Sequence, residues 1–102
     1  MNIELELKKL IKNVLNDLDL EEDIIIEIPK DRSNGDYSSN VAMKCCKKLG
    51  KSPIEIANLV KNNISSDLIE SIEIKNPGFI NFFVNNNYFV YGNNAIARAL
   101  LI

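Results

Sequence analysis

Apolar residues recur at helical spacing over residues 2–18, where Ile3, Leu7, Leu10, Ile11, Val14 and Leu18 share one face and glutamate and lysine fill the intervals. The pattern predicts an amphipathic helix. Asn2 suits its N-cap, Glu4 and Glu6 suit the positive end of its dipole, and Glu4 and Lys8 form a favourable pair four residues apart. Over residues 23–28 the period changes to two, with Ile24, Ile26 and Ile28 on one face and Ile25 and Glu27 on the other, ended by Pro29. This is a predicted strand. The polar run 30–36 reads as a loop, and the pattern leaves open whether a short strand lies in or beside it. From Ser38 or Ser39 a second helix is predicted to reach Leu49 and to stop at Gly50. Val41, Ala42, Cys45 and Leu49 line one side of it, while Lys44, Lys47, Lys48 and Lys51 fall three and four apart on the other. Ser52-Pro53-Ile54-Glu55 opens a third helix with a cap, a proline at the first helical position and a capping-box glutamate. Ile54, Ala57, Val60 and Ile64 form its apolar stripe, interrupted by Lys61.

Two strands close the pattern. Residues 71–75 place Ile72 and Ile74 on one face and Glu73 and Lys75 on the other. Pro77-Gly78 then predicts a turn in which proline pre-sets φ and glycine accepts a positive φ. In the strand 79–84, Ile80, Phe82 and Val84 share an apolar face, and Phe79, Asn81 and Phe83 share an aromatic–amide–aromatic one. Two readings of that second face compete. Asn81 pairs at a sheet edge, or the face is accessible, stacking a flat ligand and hydrogen-bonding its edge. Periodicity alone favours the plainer one. The element order predicts an α+β fold with helices on one face of an antiparallel sheet. Residues 85–94 are asparagine-rich and read as a loop, and 95–102 are apolar apart from Arg98, an end that calls for a surface to pack on.

At 102 residues the chain is one domain with a modest core. A net charge of −2 supplies no global basic field, so any contact with nucleic acid must come from a local patch or a larger parent protein. No apolar run approaches the roughly 20 residues that span a bilayer. The first residues lack the basic-then-apolar order of a signal peptide, and the two cysteines, Cys45 and Cys46, are adjacent. Both point to a reducing compartment, the cytoplasm. The absence of histidine removes the commonest general base and a common metal ligand, and the four glycines are isolated rather than grouped in a phosphate loop. Asp31 and Asp36 are explained by turn formation. No catalytic or metal-binding residues are assigned, and the chemistry suggests a binding module rather than an enzyme.

Three segments, in this order and spacing, resemble the N-terminal additional domain of arginyl-tRNA synthetases. They are Gly35-Asp36-Tyr37-Ser38-Ser39-Asn40 with Val41-Ala42-Met43; Lys47-Lys48-Leu49-Gly50-Lys51-Ser52-Pro53 with Ile56-Ala57; and the run from Ile72 through Asn76-Pro77-Gly78-Phe79-Ile80-Asn81-Phe82-Phe83. The resemblance covers residues 1–84 and implies a two-layer α-β-β-α-β-β fold, with the undecided strand near residues 35–37. It implies a domain ahead of the catalytic one that docks on the outer corner of tRNA and recognises the D-loop. The residues so assigned are Phe79 and Asn81, with Asn76 before the turn. Stacking of a splayed base on Phe79 and hydrogen bonding to the Asn81 amide suit that task, while Lys44, Lys47, Lys48, Lys51 and Lys75 suit phosphates. The implied parent is an ATP-dependent arginine–tRNA ligase, with tRNA and the catalytic domain as partners, no membrane, and no cofactor bound by this chain itself; a monomer is expected.

Two departures from the family pattern stand out. Asn34 stands where the family commonly has histidine or another residue before Gly-Asp-Tyr, and no His-Ile-Gly-His adenylate-forming signature occurs by Ile102. Residues 85–102 are therefore expected to be a linker and tail truncated before any catalytic domain, and the chain is not expected to activate arginine alone. The competing functional class is a protein-docking module whose phenylalanine face and apolar tail pack on a partner or on the catalytic domain.

Overall fold

A computed structural model describes residues 2–85. Helix α1 spans Ile3–Asp17, strand β1 Ile26–Glu27, and a 3₁₀ turn Arg32–Asn34. Strand β2 spans Tyr37–Ser39, helices α2 and α3 Val41–Leu49 and Pro53–Asn62, and strands β3 and β4 Ile69–Lys75 and Phe79–Val84. The strands form one antiparallel sheet in the order β1-β2-β4-β3. The fold is α+β, as the element order predicts. Residues 86–102, most of the expected linker and tail, lie outside the described residues.

The core is a single cluster between the helices and one face of the sheet. Ile3, Leu7, Ile11, Val14 and Leu15 enter it from α1, Val41, Ala42 and Cys45 from α2, and Ile56, Ala57 and Val60 from α3. Ile80, Phe82 and Val84 of β4 meet them and are essentially solvent-free. The predicted apolar face of 79–84 is therefore the core face. Ile56, outside the predicted α3 stripe, is fully buried because α3 lies across both β3 and β4 and buries a wider arc than one stripe. Among the described residues, no helix is long and apolar enough to cross a membrane.

Local signals hold where the chain needs only its neighbours. Asn2 Oδ1 accepts the Leu5 N–H at 3.0 Å, Ser52 Oγ accepts the Glu55 N–H at 3.2 Å, and Gly50 closes α2 in the left-handed region. The Glu4–Lys8 pair gives way to Lys9 Nζ–Glu6 Oε1 at 3.5 Å, an exposed contact of little energetic weight.

Where strands must find partners, the outcome departs from expectation. β1 shrinks from 23–28 to two residues because it is an edge strand whose partner, β2, is three residues long. Ile28, expected on the core face, is 63% exposed. Ser38 and Ser39 do not start α2; they lie in β2, paired with Asn81 and Ile80 on one side and with Glu27 and Ile26 on the other. The helix starts after them, with Ser39 Oγ accepting the Val41 N–H at 3.2 Å. β3 begins at Ile69 rather than Ser71, with a bulge between those two residues.

Candidate functional site

On the sheet face away from the core, one row crosses all four strands. The register sets Glu27 opposite Ser38, Ser38 opposite Asn81 and Asn81 opposite Glu73. The next row toward the β3–β4 turn pairs Phe79 with Lys75. Apart from Glu73, the residues of these two rows floor a cleft of about 380 Å³. Glu27, Ser38, Lys75, Asn76, Phe79 and Asn81 line it from the sheet and turn, and Pro29, Lys30, Asp31 and Asn34 from the loop beside it. Four predicted site residues, Phe79, Asn81, Asn76 and Lys75, thus come together in one concavity.

The β3–β4 turn has a different geometry from the one predicted. Asn76–Pro77 is a cis peptide, and Gly78 does not take a positive φ. Its glycine is required by close approach instead, since a Cβ at position 78 would lie 2.6 Å from Pro53 Cβ. The turn that carries Asn76 and Phe79 is thereby seated against the first residue of α3.

The loop wall is tied to the same strand. Gly35 has φ 103°, and a Cβ there would meet Phe82 O at 2.9 Å. The Asp36 backbone N–H donates to Phe82 O at 2.8 Å, and its carboxylate accepts the Val84 N–H at 2.9 Å and Arg32 Nη2 at 3.1 Å. Asp36 is thus more than a turn former, because it fastens the loop to β4. Asp31 accepts both the hydroxyl and the backbone N–H of Ser33, at 2.7 and 2.9 Å, and these bonds hold its carboxyl below the usual carboxylate range. Lys75 Nζ donates to Asn34 Oδ1 at 2.6 Å, joining the hairpin to the loop across the cleft.

Phe79 is 38% exposed, whereas Asn81 is only 4% exposed. Asn81 is not on an accessible strip, nor at a sheet edge, because β4 is central and neighbours cover both its flanks. Its Oδ1 accepts Ser38 Oγ–H at 2.8 Å. Phe83, paired with Ser71 beyond the cleft, is half-buried and does not line it. The cleft wall carries Lys30 and Lys75 against Glu27 and Asp31, two cations balancing two carboxylates. Such a wall does not concentrate anionic phosphate. It suits a flat neutral ligand held by an aromatic face and by hydrogen bonds.

None of Lys44, Lys47 and Lys48 of α2, nor Lys51 just beyond it, lines the cleft. Lys44 Nζ donates to Asp23 O at 3.3 Å, and Lys48 Nζ reaches Glu21 O at 3.0 Å and Glu22 Oε2 at 3.1 Å. These two fasten α2 to residues 21–23, while Lys47 and Lys51 are exposed. A larger concavity of about 760 Å³ runs between α1 and residues 20–24, with lysines facing carboxylates and no aromatic side chain. Sequence reasoning missed Ser38, Asn34 and Glu27 as cleft residues. Ser38 carries no local signal for the role, because a serine before an apolar run is equally suited to capping a helix.

Fold and cleft together define a two-layer α+β domain with a cleft on the open face of its sheet. The chain belongs to the arginyl-tRNA synthetase N-terminal domain family, whose model matches residues 5–84. It is 45% identical over 91 residues to an arginine–tRNA ligase of Mycoplasma mobile and 47% identical over 68 residues to that of Staphylococcus carnosus. Those matches cover 83% and 65% of this chain but 17% and 12% of the relatives, so the chain spans less than a fifth of their length. The arginyl-tRNA synthetase of Plasmodium falciparum shares the fold with a TM-score of 0.75 at 24% identity, over 84% of this chain and 16% of that one. That of Thermus thermophilus does so with a TM-score of 0.72 at 20% identity, over 83% and 14%.

Proposed function

We propose that this chain is the tRNA-binding domain of an arginine–tRNA ligase, reading the D-loop at the outer corner of the tRNA while the parent enzyme attaches arginine with ATP. The observation that carries the reading is the exposed ring of Phe79 beside the Asn81 amide in a charge-balanced cleft. Bases splayed out of an RNA loop are recognised by stacking on aromatic faces and by hydrogen bonds to their edges. Asn76 and Lys75 at the rim flank the entering nucleotide. Lys44, Lys47, Lys48 and Lys51 add phosphate contacts of secondary weight, with Lys47 and Lys51 the more available pair. The setting is the cytoplasm.

Replacing Phe79 by alanine should weaken tRNA binding by about 1–3 kcal/mol for every D-loop sequence alike. Asn81→Ala should instead erase the preference among bases. Titrating the chain with tRNA transcripts that differ at the tip of the D-loop reads both effects, and unchanged affinity and preference in both variants would sink the assignment. A second reading, docking on the catalytic domain or another protein, is favoured by the exposure of Ile28 next to the cleft residue Pro29. It predicts no tRNA binding at low salt and loss of that docking in Ile28→Ser.

A further inference from the structure

We propose that Ser38 is a positioning residue that sets which end of the Asn81 amide is offered to the ligand, an inference that rests on the base-reading function above. The two residues are directly opposed in the β2–β4 pair, so the ladder holds them at a fixed separation. The Ser38 hydroxyl reaches Asn81 Oδ1 at 2.8 Å. A serine hydroxyl donates or accepts, and an amide can turn end for end, so the orientation has to be decided by the surroundings. In the row that crosses the sheet, Asn81 has Ser38 on one side and the carboxylate-bearing Glu73 on the other. A carbonyl turned away from Ser38 would face that negative charge, whereas an NH2 group turned the same way is attracted to it. Both neighbours therefore favour one arrangement, with the oxygen on Ser38 and the nitrogen outward.

Among the described residues Nδ2 makes no hydrogen bond, and the one side-chain polar atom both sealed from solvent and unpaired is Asn40 Oδ1. Nδ2 is thus the open end of an otherwise buried side chain, and Asn81 lines the cleft. The group it meets must accept a hydrogen bond, a ring nitrogen without hydrogen or a carbonyl oxygen. A base presenting a ring N–H at that point leaves two donors opposed and is rejected. Ser38 acts through Asn81, by denying the amide its flipped state.

The test uses the chain with Ser38→Ala, Ser38→Thr and Asn81→Ala. The first measurement, without RNA, is the pair of Asn81 side-chain NH2 signals in nitrogen-15-labelled protein. They should be sharp and well separated in the unaltered chain, converge or broaden in Ser38→Ala, and recover in Ser38→Thr. The second is the affinity ratio between tRNA transcripts carrying each of the four bases at the D-loop tip. Ser38→Ala should reduce that ratio by about three- to tenfold, the worth of one net hydrogen bond, and Ser38→Thr should keep it. If Asn81→Ala collapses the ratio while Ser38→Ala leaves both ratio and NH2 signals unchanged, the positioning role fails and base reading stands. If Asn81→Ala leaves the ratio intact, or the unaltered chain binds no tRNA at low salt, base reading fails and this inference with it. NH2 signals that show Nδ2 bonded to Ser38 overturn the orientation outright.

Discussion

The two faces of β4 solve different problems with the same backbone. On one, Ile80, Phe82 and Val84 are buried by apolar side chains from the helices, and nothing but shape and volume is asked of them. On the other, Asn81 is nearly as buried, with the polar residues Ser38 and Glu73 opposite it in the neighbouring strands, and Phe79 two residues before it remains open. Burial therefore does not separate core from site in this molecule. The separation lies in the chemistry of the neighbours. An apolar shell stabilises the fold, whereas the Ser38 hydroxyl orients one amide and leaves its donor end available.

That contrast can be broken most directly at Phe82. Phe82→Ala should destabilise the domain by about 3–5 kcal/mol in a urea titration, the range for truncating a buried aromatic. Phe79→Ala should move the same midpoint by less than about 0.5 kcal/mol while it weakens tRNA binding. Equal stability losses at the two positions would erase the distinction between the faces. Next in size is Asp36, whose carboxylate ties the loop wall to both Val84 N–H and Arg32. Asp36→Ala should cost about 1.5–3 kcal/mol in the same titration, because it leaves the Val84 N–H without its charged acceptor. It should also weaken ligand binding, since the wall that carries Asp31 and Asn34 loosens.

Gly78→Ala sharpens the turn's part in the comparison. The clash with Pro53 should cost about 1–3 kcal/mol and displace Phe79, so affinity should fall with stability rather than independently of it. An alanine variant with both quantities intact would show that the turn is not seated by that contact.

The smallest effect concerns Tyr37, on the core side of β2. Burial raises its phenol above the ordinary value of 10.0, and the carboxylates of Glu4 and Asp36 push in the same direction. A raised pKa means that the folded chain holds the proton more tightly, so the contribution of Tyr37 to stability is constant below about pH 10.0 and is lost as the pH rises above it. In Tyr37→Phe the part of that decline due to Tyr37 should vanish, as read from denaturation midpoints measured on either side of that pH.

Legibility in the sequence followed the range of the physics involved. α1 and α3 were readable to within a residue or two, because caps, dipole charges and a 3.6-residue stripe are local. The two faces of residues 79–84 were readable from alternation alone, and with the family resemblance so was the placing of Phe79 and Asn81 together, which the structure brings into one cleft. β2 was not, since Tyr37-Ser38-Ser39 is short and its serines fit a helix start equally well. Lys44, Lys47, Lys48 and Lys51 share the spacing of a basic stripe, but Lys44 and Lys48 hold residues 21–23, partners about 21–27 positions away in the chain.

The chain by itself determined where α1 and α3 begin and which face of β4 is apolar. Those follow from residue type, spacing and the backbone's own preferences. Only the tertiary structure decided that Gly78 serves a contact with Pro53 rather than a positive φ, that Asp36 reaches Val84, and that Asn81 is buried against Ser38. Each of these depends on which side chains meet across a sheet with strand order β1-β2-β4-β3. Strand order and register are set by the packing of the whole domain, and no stretch of sequence contains them alone.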